Sequence, residues 1–400
     1  MERPKLRPVE PLPVEVEGQT LVALNDPDRY CDETALLDPD ALGLVSLLDG
    51  TRTVPELHAW LEQNGAEVTL DGLQSLVDSL DRCLLLENAR FESARRQREE
   101  MFAAAPVRSA AHAGSAYPGE PQAARSFLQE ILDHADRTES APFRRLIAPH
   151  IDLELGAPIH ASAVRAVEAA GRPDVVVVLG VCHALCDHRF IACRKDFETP
   201  FGRVRHDGKF LDALEERFGR PLTDGQIAHQ AEHSVEFQAL WLAHLWPEDP
   251  PRIVPFLVGS FHDLIESAAS PSSEPDVESF VGALRRTLDA EARRCLVVAS
   301  VDLAHMGPRY GDPAGLDADG ESALERADTA LLEPVLKGDA EGFFKAVAAD
   351  GNARNICGVA PIYVTLRLGE GAGRLLRYGQ GRIDPETGSV VSYVAASFDS

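Results

Sequence analysis

Long apolar runs are missing from this 400-residue chain: the longest, near Val175–Val181, is far short of the ~20 residues that cross a bilayer. The stretch Met1 to Gly18 is charged from Glu2 onward and has no apolar centre, so it reads as no secretory signal. Positive charge is in short supply, with 39 Lys and Arg against 64 Asp and Glu, a net of −25. That field repels phosphate backbones and anionic lipid, which argues against nucleic acid and membrane surfaces as partners. Cysteine is thin: seven residues (Cys31, Cys83, Cys182, Cys186, Cys193, Cys295 and Cys357), an odd number with no CxxC pair. They read as reduced thiols of a cytoplasmic protein, some of them candidate metal ligands, and not as a disulfide framework. Imidazole is nearly absent from the front, where His58 alone of thirteen histidines precedes residue 105. What remains, 44% hydrophobic and 26% charged residues, is an ordinary globular composition, long enough for two or three domains.

The chain divides within Asn88–Ala105, whose charges and strong helix formers predict a solvated connecting helix closed by Pro106. The expected domains are 1–90 and 106–400, with a linker helix at 91–105. In the first, alternating segments at Val14–Val16 and Thr20–Ala23 flank Glu17-Gly18-Gln19, a hairpin signal. Three helices are expected next: one capped by Asp38-Pro39-Asp40 and closed by Gly50, one opened by a capping box at Thr53 and Glu56, and one over Leu70–Leu80. Cys83–Leu86 then reads as a strand. Behind residue 106, apolar β-branched runs at Arg144–Ala148, Val175–Leu179, Ile253–Leu257, Cys295–Ala299 and Ser389–Phe398 alternate with helical segments. Those helices are expected at 121–135, 161–170, 231–245, 277–290, 323–336 and 340–349. Such alternation argues an α/β sheet.

The residues just past the core strands carry the chemistry. His150 comes after the first run, Cys182 and His183 after the second, and Asp302 and His305 after the run Cys295–Ser300. In open α/β sheets ligands bind beyond the carboxyl ends of strands, so these side chains would share one crevice. Any single histidine is more simply a satisfied buried polar group; three at equivalent positions are less easily coincidental. Cys357, followed by Gly358, is a fourth candidate, and two imidazoles with one thiolate suit zinc, copper or iron, not magnesium or calcium. In His229–Glu236, His233 and Glu236 share a helical face and could support the pocket, whereas Glu232 reads as part of a solvated first turn.

Several segments resemble the Memo family. His112-Ala113-Gly114-Ser115-Ala116-Tyr117 is similar to its HAGSWY opening, Ile147-Ala148-Pro149-His150 to IAPHAG, and Leu179–His183 to LGPSHH. Thr199–Gly202 is similar to TPLG, Glu232–Glu236 to EHSIE, Ser300–Gly307 to SSDFSHWG, Ile356-Cys357-Gly358 to ICG, and Ser392–Ala396 to VSYAA. The order is collinear over residues 110–400. The resemblance, which extends to the AmmeMemoRadiSam system protein B, implies a fold like the class III extradiol dioxygenases. It also implies metal ligands at His150, His183 and Cys357, with Asp302 and His305 beside them. Departures fall at Ile151-Asp152-Leu153, at Cys182 and at Ala184, which put any inherited substrate in doubt. Residues 10–90 resemble the small PqqD-like winged-helix domains, which grip a peptide as an added strand; a packing module that binds nothing is the alternative.

The expectation is thus a mononuclear iron (or copper) oxidoreductase in a radical-SAM and AMMECR-type system. His305, oriented by Asp302 on one helical turn, would move a proton, with His233 in reserve. Glu236, Asp152 and Cys182 would lie around the ligands. A metal-dependent peptide- or protein-binding module is the competing class, and a zinc hydrolase fits the ligands chemically.

Overall fold

The computed structural model describes residues 3–399 with the exception of 17, 27–29, 32, 136–141, 185 and 187. The chain forms two compact units, Met1–Ala105 and Pro106–Ser400.

In unit one, β1 (Glu10–Val16), β2 (Gln19–Asn25) and β3 (Ala35–Leu37) make an antiparallel sheet in that order. Val16 pairs with Gln19 across a two-residue turn in which Gly18 takes φ +79°; Glu17 of the predicted turn lies outside the described residues. Helices α1 (Leu42–Val45), α2 (Val54–Gln63), α3 (Leu70–Arg82) and α4 (Ala89–Ala104) come next. Thr53 and Glu56 close their capping box, and α2 and α3 set Leu57, Leu61, Leu73 and Leu80 against Leu24 and Leu37. Two expectations fail here. The helix expected up to Gly50 is a single turn, α1, and Cys83–Leu86 is no strand. Leu84 takes φ +57° in the turn that ends α3, and Leu86 makes one isolated bridge to Leu6. The charged stretch is α4, which buries Phe91 and Phe102.

Unit two opens with β4 (Val107–Arg108), α5 (Pro121–Leu132), β5 (Arg145–Ala148), α6 (Ala157–Ala170) and β6 (Val175–Val181). Then come β7 (Phe190–Ala192), β8 (Asp196–Thr199), β9 (Gly202–Val204), α7 (Gly208–Phe218), α8 (His233–Leu245), β10 (Arg252–Val258), α9 (His262–Glu266) and α10 (Pro275–Ala290). It closes with β11 (Cys295–Ser300), β12 (His305–Met306), α11 (Ala318–Leu336), α12 (Ala340–Ala348), α13 (Val359–Arg367), β13 (Gly373–Asp384) and β14 (Ser389–Phe398).

The large sheet runs β12-β14-β5-β11-β6-β10-β7, with β13 also paired to β14. Its centre, β5-β11-β6-β10, is parallel. A parallel sheet covered on both faces needs strands apolar on both faces, and Val175 through Leu179 are all 0% exposed. Val175, Val177 and Leu179 join Phe280 of α10 and Tyr363 of α13 in one core, while Val176 lines a small void with Val164 of α6 and Trp241 of α8. Among the described residues, no helix is long and apolar enough to cross a membrane.

Candidate metal centre

Register places Ala148, Ser300 and Gly180 level on neighbouring parallel strands. Just beyond them stand His150, Asp302 and His183, at the carboxyl edge that the sequence pattern singled out. The start of α13 closes in from one side: a Cβ at Gly358 would lie 2.7 Å from the Asp302 carbonyl oxygen, so only glycine lets Cys357 approach. From the other side comes the start of α8, where a Cβ at Gly180 would lie 2.5 Å from Ser234 Oγ.

His150, His183 and Cys357 each offer a ligand atom within 4.8 Å of the others. His150 is 2% exposed, and its Nδ1 donates to the Ser300 carbonyl at 2.9 Å. That bond leaves Nε2 as the lone-pair nitrogen, 3.6 Å from Cys357 Sγ. Burial, followed by the neighbouring His183, pushes the His150 pKa down to about 3, which keeps the ring in the neutral form that ligates. His183 rests on Glu232, to which its backbone N–H and its Nδ1 donate at 3.1 and 3.0 Å. Burial raises the pKa of Glu232, but His183 and His233 outweigh it and hold the carboxyl well below the usual carboxylate range. A carboxylate behind a histidine is the arrangement that orients a metal-binding imidazole. Burial pushes the Cys357 thiol up, with His183 opposing. The donor chemistry therefore fits a transition-metal ion: two imidazoles with fixed tautomers and a thiol that a cation would deprotonate.

The other predicted residues divide. His233 joins the crevice, its ring stacked on that of His183 with centroids 5.0 Å apart and at 5.0 Å from His150. Asp302 is 2% exposed; Oδ1 accepts the backbone N–H groups of His150 and Ile151 at 3.2 Å, and Oδ2 lies 3.5 Å from His150 Nε2. Burial raises its pKa to about 6. The helical turn expected to join Asp302 to His305 does not form, because the chain runs on into β12, where His305 pairs with Val391. His305 Nδ1 is instead held by the carbonyls of Leu303 and Asn355, both at 3.1 Å.

Glu236 is fully buried one turn into α8, where it binds Arg108, the Tyr117 hydroxyl and the N–H groups of Ala111 and His112. It acts on the crevice through His112, whose ring meets that of His233 at 5.8 Å. Asp152 is not brought to the ligands: it is exposed, and its carboxylate accepts Glu154 and Leu155 N–H. Cys182 is half-buried next to His183. The residue that sequence reasoning misjudged is Glu232. It is 5% exposed, not solvated, because α8 begins against the end of β6. His112 and Tyr310, whose ring lies 5.0 Å from that of His305, were also missed.

A family model described as Memo-like protein matches residues 108–397. The chain is 29% identical over 365 residues to a MEMO1 family protein of Aquifex aeolicus, a match covering 90% of this chain and 91% of the relative. It is 27% identical over 319 residues to one from Thermus thermophilus, covering 79% and 90% of the two chains. With one from Methanopyrus kandleri it shares 28% identity over 306 residues, 73% and 98%. The Aquifex match is longer than unit two and so reaches into unit one.

Proposed function

The chain belongs to the Memo-like protein family, and from that premise we propose that unit two holds one transition-metal ion on His150, His183 and Cys357 and acts as an oxidoreductase. Iron is the first choice, with copper or zinc as alternatives. The observation that carries this reading is the convergence of three donor atoms within 4.8 Å, two of them on rings whose other nitrogen is already bonded. Bound iron or copper would supply redox chemistry toward dioxygen or substrate, whereas zinc would supply Lewis acidity alone. The chain's own residues supply proton handling. Two carbonyls fix the proton on Nδ1 of His305, so Nε2 is the nitrogen that gains or loses one. Asp302 keeps the His150 amide in place, and His233 walls the crevice.

Metal analysis of anaerobically purified protein and its alanine variants tests this. His150→Ala, His183→Ala and Cys357→Ala should each lose most metal while remaining folded; full occupancy in the triple variant sinks the assignment. His305→Ala should keep the metal and lose metal-dependent dioxygen consumption. If it loses metal as completely as His150→Ala, His305 is a ligand.

A second reading is a metal-dependent peptide- or protein-binding module, with unit one as a separable PqqD-like winged-helix domain. A cavity of about 500 Å³ in unit one, lined by Val54, Val77, Asp78, Leu86 and Glu87, favours it. The edge strand β1 does not, because Pro11 and Pro13 have no N–H to offer an added strand. Radical-SAM and AMMECR-type partners rest on the family resemblance, and a cytoplasmic location rests on the sparse cysteines without a CxxC pair.

A further inference from the structure

Asp328 is a buried carboxylate outside the metal centre. It sits in the middle of α11 at 0% exposure, where Oδ1 accepts Arg354 Nη1 at 2.6 Å and Oδ2 accepts the Tyr378 hydroxyl at 2.9 Å. Gln380 donates to that hydroxyl at 2.9 Å, so β13 steadies the carboxylate from a second side. A buried ion pair adds little net stability, because desolvation offsets the attraction. This one ties α11 to a turn that touches His305 three times. The Arg354 carbonyl accepts the His305 backbone N–H at 2.8 Å, and the Asn355 carbonyl accepts His305 Nδ1–H at 3.1 Å. Asn355 Nδ2 donates back to the His305 carbonyl at 3.3 Å. The turn is tightly wound: Asn352 and Asn355 take φ +57° and +50°, which asparagine tolerates better than most residues. Asn352 also closes on Ile356, accepting its N–H at 2.9 Å and donating to its carbonyl at 3.2 Å.

We propose that Asp328 is a positioning residue for His305: through Arg354 it holds the turn Asn352–Ile356 against His305 and keeps the ring proton on Nδ1. This role rests on the proton-handling part given to His305 above. Of the two carbonyls that hold Nδ1–H, that of Leu303 lies two residues from His305 and moves with it. The Asn355 carbonyl comes from 50 residues away and stays in place only while its turn does. Releasing Arg354 therefore removes the acceptor that fixes the ring relative to the rest of the fold, and Nε2 no longer remains the free nitrogen.

Asp328→Asn in the metal-free full chain tests this, since asparagine keeps the shape and an acceptor for Tyr378 but offers Arg354 no charge. Long-range proton–nitrogen correlation spectra of protein labelled with ¹⁵N-histidine, recorded well above the ordinary histidine pKa, show which ring nitrogen carries the proton. His305→Gln identifies the signal. Hydrogen exchange at the His305 amide reports on the turn. The control is Asp207→Asn, which breaks another buried ion pair, with Arg293, at the start of β10 and so at the opposite edge of the sheet. Asp328→Asn should show His305 with its proton shared onto Nε2 and amide exchange faster by about tenfold, the worth of one charge-assisted hydrogen bond. Asp207→Asn should change neither. A His305 ring that keeps its proton on Nδ1 in Asp328→Asn overturns the role, and so does an equal change in Asp207→Asn. If Asp328→Asn does not fold, Arg354→Lys, which keeps a cation beside Asp328 without the guanidinium's reach, must shift the His305 proton in the same direction or the role is wrong. Neither readout involves the metal, so a negative result here leaves the assignment of His150, His183 and Cys357 standing.

Discussion

Replacing Glu232 by glutamine separates the carboxylate behind His183 from mere bulk. Oε2 of Glu232 faces two donors, the backbone N–H and Nδ1 of His183 at 3.1 and 3.0 Å. Oε1 faces the Ser234 N–H at 2.9 Å and the same Nδ1 at 3.1 Å. A carboxylate accepts at both ends, whereas glutamine must turn an NH₂ towards one of these sets. However it settles, a donor meets a donor and His183 loses a charged anchor. Hydrogen-bond partners behind metal-binding histidines are worth about 10–100-fold in affinity, or about 1.4–2.8 kcal/mol. The assay is an anaerobic Fe(II) competition titration against a chromogenic chelator, with thermal unfolding as the check on folding. Asp152→Asn is the matched control. Its exposed carboxylate serves only a turn, so affinity should stay within about twofold of wild type. Equal iron affinities for the two variants would refute the role assigned to Glu232.

Arg108→Met removes the partner of a carboxylate that is 0% exposed, together with bonds to the carbonyls of His229 and Glu232; it should cost about 3–5 kcal/mol in chemical denaturation, and a loss under about 1 would contradict the assignment. His229 is 0% exposed, and burial pushes its pKa down to about 4 from an ordinary 6.5. The folded form therefore binds that proton less well than the unfolded chain. Its contribution is present above about pH 6.5 and is lost as pH falls through about 4, by at most about 3 kcal/mol. Urea midpoints of wild type and His229→Gln should converge between pH 7 and 4; parallel pH profiles would show that His229 does not titrate this way. Residues 1–105 alone should melt cooperatively, because Leu57, Leu73 and Leu80 are 0–1% exposed within that unit's own core. A broad transition without a heat-absorption peak would mean that the unit needs the rest of the chain.

The parallel core strands, the histidines just past them and Cys357 were legible in the sequence because each depends on a local pattern. A run such as Val175–Leu179 can only be buried, and the residues after it must emerge at the sheet's edge. Helix α13 was not legible: Val359 through Leu366 are all buried, so no polar face marks a helical period, and Pro361 sits in its first turn. The carboxylates were decided by tertiary structure. Asp152, Glu232, Glu236 and Asp302 have similar credentials in one dimension, yet one caps an exposed turn, one orients His183, one pins the segment carrying His112 and one holds the His150 amide. That choice depends on which face of α8 meets the end of β6, and the contact spans 49 residues between His183 and Glu232. The pairing of His305 with β14, not a helical turn with Asp302, was settled in the same way. Sequence spacing fixes neighbours within one element; chain crossings set by core packing fix which elements meet, and the electrostatics of the crevice arise from those meetings.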